Sequence, residues 1–361
     1  QAVPIRETPS GPGKASGNMV RTVTSKGAAR DMRGLWTKTT GFSSPDEGPP
    51  RLARQARWLY ALPFRICSID PEAMSQPENL VDTLALERLE VNLFRGVSPN
   101  EGPGRIFGGQ VIAQSLLAAY GTVEDRVCHS LHCYFIRPGD PTTPIIFEVD
   151  RSRDGGSFTT RRVIAVQNGK QIFNLAASFQ APEAGFEHQA PMPLVTAPDD
   201  LPSEAEAMKA ALDKMPEEAR KWASRPRPIE MRPVDGASIF DRDRPEARDP
   251  ESQVWFRARA PIGDDAVLHQ VILSYASDMN LLSTAMRPHR VHWQTRNFQS
   301  ASLDHAMWFH KPVNFNDWHL YAQDSPSAAG GRGFIRGSIY TRSGDLVASV
   351  AQEGLLRLRR D

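Results

Sequence analysis

From Leu84 onward, apolar and polar positions alternate in short runs that predict strands, and two longer runs with helical spacing interrupt them. A short helix or turn leads to a strand through Val91, Leu93 and Phe94. A glycine-broken loop at 102–109 then opens the helix QVIAQSLLAAYGTV. Four strands come next, HSLHCYFIRP, PIIFEVDRSRDGG, SFTTRRVIAVQNG and KQIFNLAASFQ, separated by turn signals at Pro138-Gly139-Asp140, Gly155-Gly156 and Asn168-Gly169. After residue 250 the order repeats: a strand at QVWFRARA, a helix at 268–286, and strands at SLDHAMWFHKP, DWHLYAQDSPS, GRGFIRGSIYTRSG and DLVASVAQEGLLRL. Phe135-Ile136-Arg137-Pro138 falls on Phe309-His310-Lys311-Pro312, and Gln110-Val111-Ile112 falls on Gln270-Val271-Ile272. This is an internal duplication. It predicts an α+β fold, a double hot-dog of two repeats, each with a central helix wrapped by an antiparallel sheet.

The second helix carries the chain's most informative residue. Val271, Tyr275, Asp278 and Leu282 share one stripe, and the other faces are small or uncharged, so the helix is expected to be buried nearly all round. A carboxylate there is costly unless it is hydrogen-bonded in a structural role or works as a titrating group. The copies differ at this point: Ala118 stands where the second has Asp278, and Ser178 is aligned with Gln352. A requirement of the fold alone would fall on both copies. Gly108 and Gly109, at the start of the first helix, miss the nucleotide-loop spacings but suit a tight approach of helix amides to a carbonyl or phosphate oxygen.

Composition narrows the field. Among 361 residues, 43 Lys and Arg face 42 Asp and Glu, so no net field favours nucleic acid or an anionic membrane. No apolar run is long enough for a membrane helix. Three cysteines cannot form a disulfide framework, and a reducing, cytoplasmic setting is expected. Residues 1–73, rich in Gly, Pro, Ser, Thr and Arg, read as a disordered leader or a non-native extension, with the functional protein starting at Met74. The remaining divisions are an N-terminal repeat at 74–185, a connector at 186–250 and a C-terminal repeat at 251–361. The nine histidines show no metal-ligand spacing: His305 and His310, and likewise His129 and His132, are expected on opposite strand faces. His129 is a candidate for lining the first-half cleft.

FGGQV at 107–111, YFIRPGD at 134–140, ASFQAPEAGFEHQ at 177–189, YASDMN at 275–280, DHAMWFH at 304–310 and VAQEG at 350–354 together resemble the type II acyl-coenzyme A thioesterases, the TesB-like family. The resemblance runs in order from about Met74 to Arg360. It implies the double hot-dog fold, hydrolysis of acyl-CoA to fatty acid and CoA, and no cofactor or metal. The family's acid, hydroxyl and glutamine fall on Asp278, Ser302 and Gln352. The hydroxyl position, often Thr in that family, is Ser here, which keeps the oxygen but loses the methyl that fixes its rotamer.

A thioester carbonyl is electrophilic enough for direct attack by a positioned, partly deprotonated water. Asp278 is the expected base, with Ser302 and Gln352 holding the water and the carboxylate. Ser302 as a covalent nucleophile would need a histidine base and a G-x-S-x-G turn; the turn is absent, and His305, three residues along, is expected on the opposite face. Met279, Leu282, Met307 and Trp308 are candidates for the acyl groove. The expected partner is acyl-CoA, with no nucleic acid and no membrane, and self-association to a dimer or tetramer is expected from exposed sheet edges and faces. A silent acyl-CoA binding module and a hot-dog enoyl-CoA hydratase are the rival readings.

Overall fold

The computed structural model describes residues 80–99, 104–203, 227–236, 246–293 and 295–359, with a few positions between 204 and 220. The leader at 1–73 and the start at Met74 lie outside them. In chain order the elements are α1 (Leu80–Leu84), β1 (Glu87–Glu90), β2 (Leu93–Gly96), α2 (Gly108–Tyr120), β3 (Val127–Phe135), β4 (Ile145–Asp154), β5 (Phe158–Gln167) and β6 (Lys170–Gln180). The second half continues with β7 (Ile229–Pro233), β8 (Glu251–Ala258), α3 (Ala266–Ser277), α4 (Leu281–Met286), β9 (Phe298–Ser302), β10 (Asp304–Phe309), β11 (His319–Ala329), β12 (Arg332–Thr341) and β13 (Leu346–Leu358).

All the strands join one antiparallel sheet in the order β1-β2-β4-β5-β6-β3-β10-β13-β12-β11-β8-β7, with β9 added on β13. The order reads the same from both ends, as a duplicated hot-dog requires. β3 and β10 meet at the centre, where Leu131 pairs with Met307 and His132 with Ala306. α2 and α3 pack on each other inside the curl, and Val111, Ile112, Leu116, Val271, Ile272 and Leu273 are buried between helices and sheet.

Local chemistry explains the tight connections. Asn168 and Gly169 both take positive φ, 50° and 70°, the conformation of a two-residue hairpin turn, and set the register that pairs Gln167 with Lys170. The paired glutamines anchor the helix starts. Gln110 Nε2 donates to the Val97 carbonyl at 3.0 Å and Ser98 Oγ at 2.9 Å, while Gln270 Nε2 donates to the Cys128 carbonyl at 3.1 Å. Buried amides without such partners would cost the full desolvation penalty.

Three features depart from the sequence reading, the smallest being Val91, expected within a strand and found in the turn between β1 and β2. The apolar run at 268–286 is two helices rather than one: Asp278 caps the C-terminus of α3, and Asn280 turns the chain with φ 62° before α4. The stretch read as connector also contributes β7 to the sheet edge, and its earlier part straps the outer face of the second half. There Met192, Val195 and Leu201 pack on Trp255, Trp318, Leu320 and Tyr340, and Trp255 Nε1 donates to the Thr196 carbonyl at 2.8 Å.

Candidate functional site

The site forms where the break after α3 meets the N-terminus of α2 and the junction of β9 with β10. Asp278 is buried at the helix end, 9% exposed. Ser302 Oγ donates to its Oδ1 at 3.3 Å, and Gln352 Nε2 donates to Ser302 Oγ at 2.9 Å. The acid, hydroxyl and amide singled out from sequence are therefore brought together.

The first half supplies the other wall. The backbone N–H of Gly109 donates to Asp278, in the first turn of α2, where amides have no intrahelical acceptor and the helix dipole favours negative charge. Close approach explains both glycines. A Cβ on Gly108 would lie 2.6 Å from Asp278 Oδ2, and one on Gly109 would lie 2.3 Å from the Tyr275 carbonyl oxygen. Gly108 and Gly109 thus belong to the cluster, packed directly against the carboxylate.

Burial pushes the Asp278 carboxyl above its usual range, opposed by His305, Ser302, the Gly109 amide and Gln352. Desolvation is the larger effect. The result is a carboxylate more basic than a surface aspartate, held by directed donors.

His305 is part of the same cluster, contrary to the expectation from strand alternation. Ser302 pairs with Gly354 and Ala306 with Ala351, so four steps along β9 and β10 match three along β13. This is a β-bulge, and the extra residue reverses the facing of every side chain beyond it on the strand. Asp304 Oδ1 accepts the Glu353 amide at 2.6 Å, satisfying backbone that the bulge leaves without a ladder partner. Ser302 and His305 consequently both point inward. His305 is 1% exposed, with Nδ1 2.6 Å from Gln352 Oε1 and Nε2 2.9 Å from Ser277 Oγ.

Profiles of two families match the chain: that described as Acyl-CoA thioesterase at residues 238–355, and the Acyl-CoA thioesterase N-terminal domain at 97–180. Acyl-CoA thioesterase 2 of Haemophilus influenzae is 39% identical over 280 residues, covering 77% of this chain and 97% of that protein. The chain belongs to the acyl-CoA thioesterase family. It is a hydrolase of thioester bonds. The thioesterase II TesB2 of Mycobacterium marinum is 44% identical with a TM-score of 0.63, covering 77% of this chain and 97% of that one. A hot-dog-fold protein of Alicyclobacillus acidocaldarius, 19% identical, shares the fold with a TM-score of 0.61 and covers 77% and 97% of the two chains.

Other sequence candidates of this thioesterase lie elsewhere. His129 sits on the outer face of the sheet, where its Nε2 is 2.8 Å from Ser178 Oγ and its ring contacts Phe158. A register shift between Cys128 and Ser130 turns it there, onto the face that carries His132. Trp308 is also outward, its ring against His132, whereas Leu282 and Met307 are buried and Met279 packs on the core. Ser178 is not the counterpart of Gln352. The amides of Ile136 and Arg137 meet the Ile172 carbonyl as those of His310 and Lys311 meet the Val347 carbonyl. Counting back from these matched exits puts Leu131 opposite Ala177 where the second half has His305 and Gln352. The first half is apolar at both positions. Among the described residues no group of three His, Cys, Asp or Glu side chains is arranged to hold a metal, and no helix is long and apolar enough to cross a membrane.

Proposed function

We propose that this protein hydrolyses acyl-CoA to a free fatty acid and CoA by direct attack of water, with Asp278 as general base. The observation that carries the reading is the ordered chain of donors, Gln352 to Ser302 to Asp278, ending on a buried carboxylate beside the N-terminus of α2. In the first step the water oxygen bonds to the thioester carbon and its proton passes to Asp278. In the second the carbon–sulfur bond breaks, and the departing CoA sulfur takes that proton back, so acid and base balance over the cycle. The N-terminal turn of α2, which Phe107 leaves without a side-chain cap, offers the Gly108 amide to the developing oxyanion, the Gly109 amide being held by Asp278 and that of Gln110 by the Phe107 carbonyl. Acyl-CoA as substrate is supported by the names of the relatives. The domain reading that accompanies it is an N-terminal repeat carrying the glycine wall and a C-terminal repeat carrying Asp278, Ser302 and Gln352.

The test is release of free thiol from a series of acyl-CoA chain lengths by the protein and by Asp278→Asn, which keeps the shape and removes the base. Loss of a general base lowers kcat by about 10²–10⁴-fold. Equal release by both proteins would overturn the role of Asp278. Release by neither, on any chain length, would support the silent binding module instead.

A further inference from the structure

We propose that His305 is a positioning residue for this reaction: its Nδ1–H fixes the amide of Gln352 so that Ser302 must direct its hydroxyl proton at Asp278. The proposal rests on Asp278 being the base. Its geometry is independent of that assignment.

A glutamine amide can present either end to a neighbour, and the choice decides what the neighbour does. With Nε2 toward Ser302, as here at 2.9 Å, Ser302 accepts from the amide and its single proton goes to Asp278 Oδ1. With Oε1 toward Ser302, the hydroxyl would be drawn to the amide and the buried carboxylate would lose a donor. Ser302 is too simple to choose. The far end of the amide, where Oε1 lies 2.6 Å from His305 Nδ1, is where one setting can be held against the other.

The amide setting and the histidine tautomer are therefore one variable with two values. In the first, Nδ1–H donates to Gln352 Oε1, and Nε2 accepts from the hydroxyl of Ser277, 2.9 Å away. In the second, Nδ1 accepts from a reversed amide, Nε2–H donates to Ser277, and the Ser277 hydroxyl donates to the Ser274 carbonyl, also 2.9 Å away. Both values satisfy the imidazole. Only the first leaves Asp278 with its Ser302 donor, so an ionised Asp278 selects it, and the ring locks it in place.

The titratable groups facing His305 fit a ring that stays neutral while it works. Asp278 approaches from the end of α3 and Asp304 from β10; the Cys133 thiol on β3 donates to the His305 carbonyl at 3.2 Å, and Tyr321 on β11 donates to the Ser277 carbonyl at 2.9 Å. Burial holds the imidazole below its usual value despite the two carboxylates. The first half, with Leu131 and Ala177 at the corresponding places, has no such lock.

The side-chain shapes provide the test. Asparagine at 305 places an amide N–H near the position of Nδ1, whereas glutamine places its amide near Nε2 and leucine offers no donor. His305→Leu and His305→Gln are expected to lose about 100-fold in kcat, the effect of a misplaced reacting group, with KM unchanged. His305→Asn is expected to recover most of the loss. Equal kcat in the Asn and Gln proteins would overturn the proposal. Should the leucine protein fail to fold, ¹⁵N spectra of the histidine-labelled wild type decide: the Nδ1–H tautomer at neutral pH is expected, and the Nε2–H tautomer would overturn it. Asp278→Asn is measured alongside. If it is inactive while all three His305 proteins keep wild-type kcat, only the positioning role falls; if it is fully active, the assignment of the base falls first.

Discussion

The contact between α2 and α3 can be tested by adding one methyl group. In Gly109→Ala the new Cβ would stand 2.3 Å from the Tyr275 carbonyl oxygen and 2.5 Å from Phe107 Cε1. A carbon and an oxygen in ordinary contact are no closer than about 3.3 Å, so the helices must part by about 1 Å. The Phe107 ring can turn aside, but the Tyr275 carbonyl is backbone in the last turn of α3 and moves only with the helix. Overpacking of this kind costs about 1–3 kcal/mol, and replacing Gly by Ala in a helix returns up to about 1 kcal/mol. The net loss of about 0–2 kcal/mol lowers Tm by at most about 8 °C at 2–4 °C per kcal/mol. The larger effect falls on the reaction, because the same displacement withdraws the Gly109 amide from Asp278. A shift of about 1 Å at a reacting group costs about 100-fold in rate. Thiol release and a thermal melt on one preparation give both numbers. Gly109→Ala with a raised Tm and wild-type kcat would show that helix propensity governs this position and that the close approach does not matter. Gly108→Ala, whose Cβ would press on Asp278 Oδ2 itself at 2.6 Å, is expected to lose kcat with a smaller change in Tm.

The same cluster is expected to set the pH dependence and to give the hydroxyl its role. Because burial raises the Asp278 carboxyl, the acid limb of kcat/KM should lie above the ordinary aspartate value of about 3.9; a limb at or below that value would contradict a dominant effect of burial. The sign for stability is equally definite. A carboxyl raised in the folded state favours folding when protonated and loses that contribution as pH rises through its folded pKa, so Asp278→Asn should melt higher than wild type at pH 8, with the difference shrinking on acidification. Ser302→Ala removes a hydrogen bond to a charged group, about 1.5–3 kcal/mol, and should lower kcat by about 10- to 100-fold. Ser302→Thr keeps the oxygen and should stay near wild type; equal activity of the Ala and Thr proteins would exclude the hydroxyl from the site.

Much of the architecture is legible because antiparallel strands advertise themselves two residues at a time. KQIFNLAASFQ, read from alternation and its Asn-Gly turn, coincides with β6 from Lys170 to Gln180. Asp278, Ser302 and Gln352 are also legible in the sequence, and they meet. The hidden part has one physical origin. Counting faces by twos assumes an unbroken ladder, and each bulge shifts the count by one. The bulge between Ser302 and Ala306 carries His305 inward against expectation, and the shift at Cys128–Ser130 places His129 with His132 on the outer face. Misplacing Ser178 against Gln352 is the same one-residue slip across the two copies. The helix break is invisible to periodicity because the apolar spacing runs straight through it. Asn280 is the available signal, since asparagine is among the few residues that enter the left-handed region readily.

The glycine wall belongs to the earlier copy and the acid to the later one, so the cluster is a joint property of both. Neither copy alone holds both parts, so deleting either would dismantle the cluster. The covalent tie between them now does what subunit recognition does in an assembly of separate chains: it guarantees that the unlike partners always meet at a one-to-one ratio.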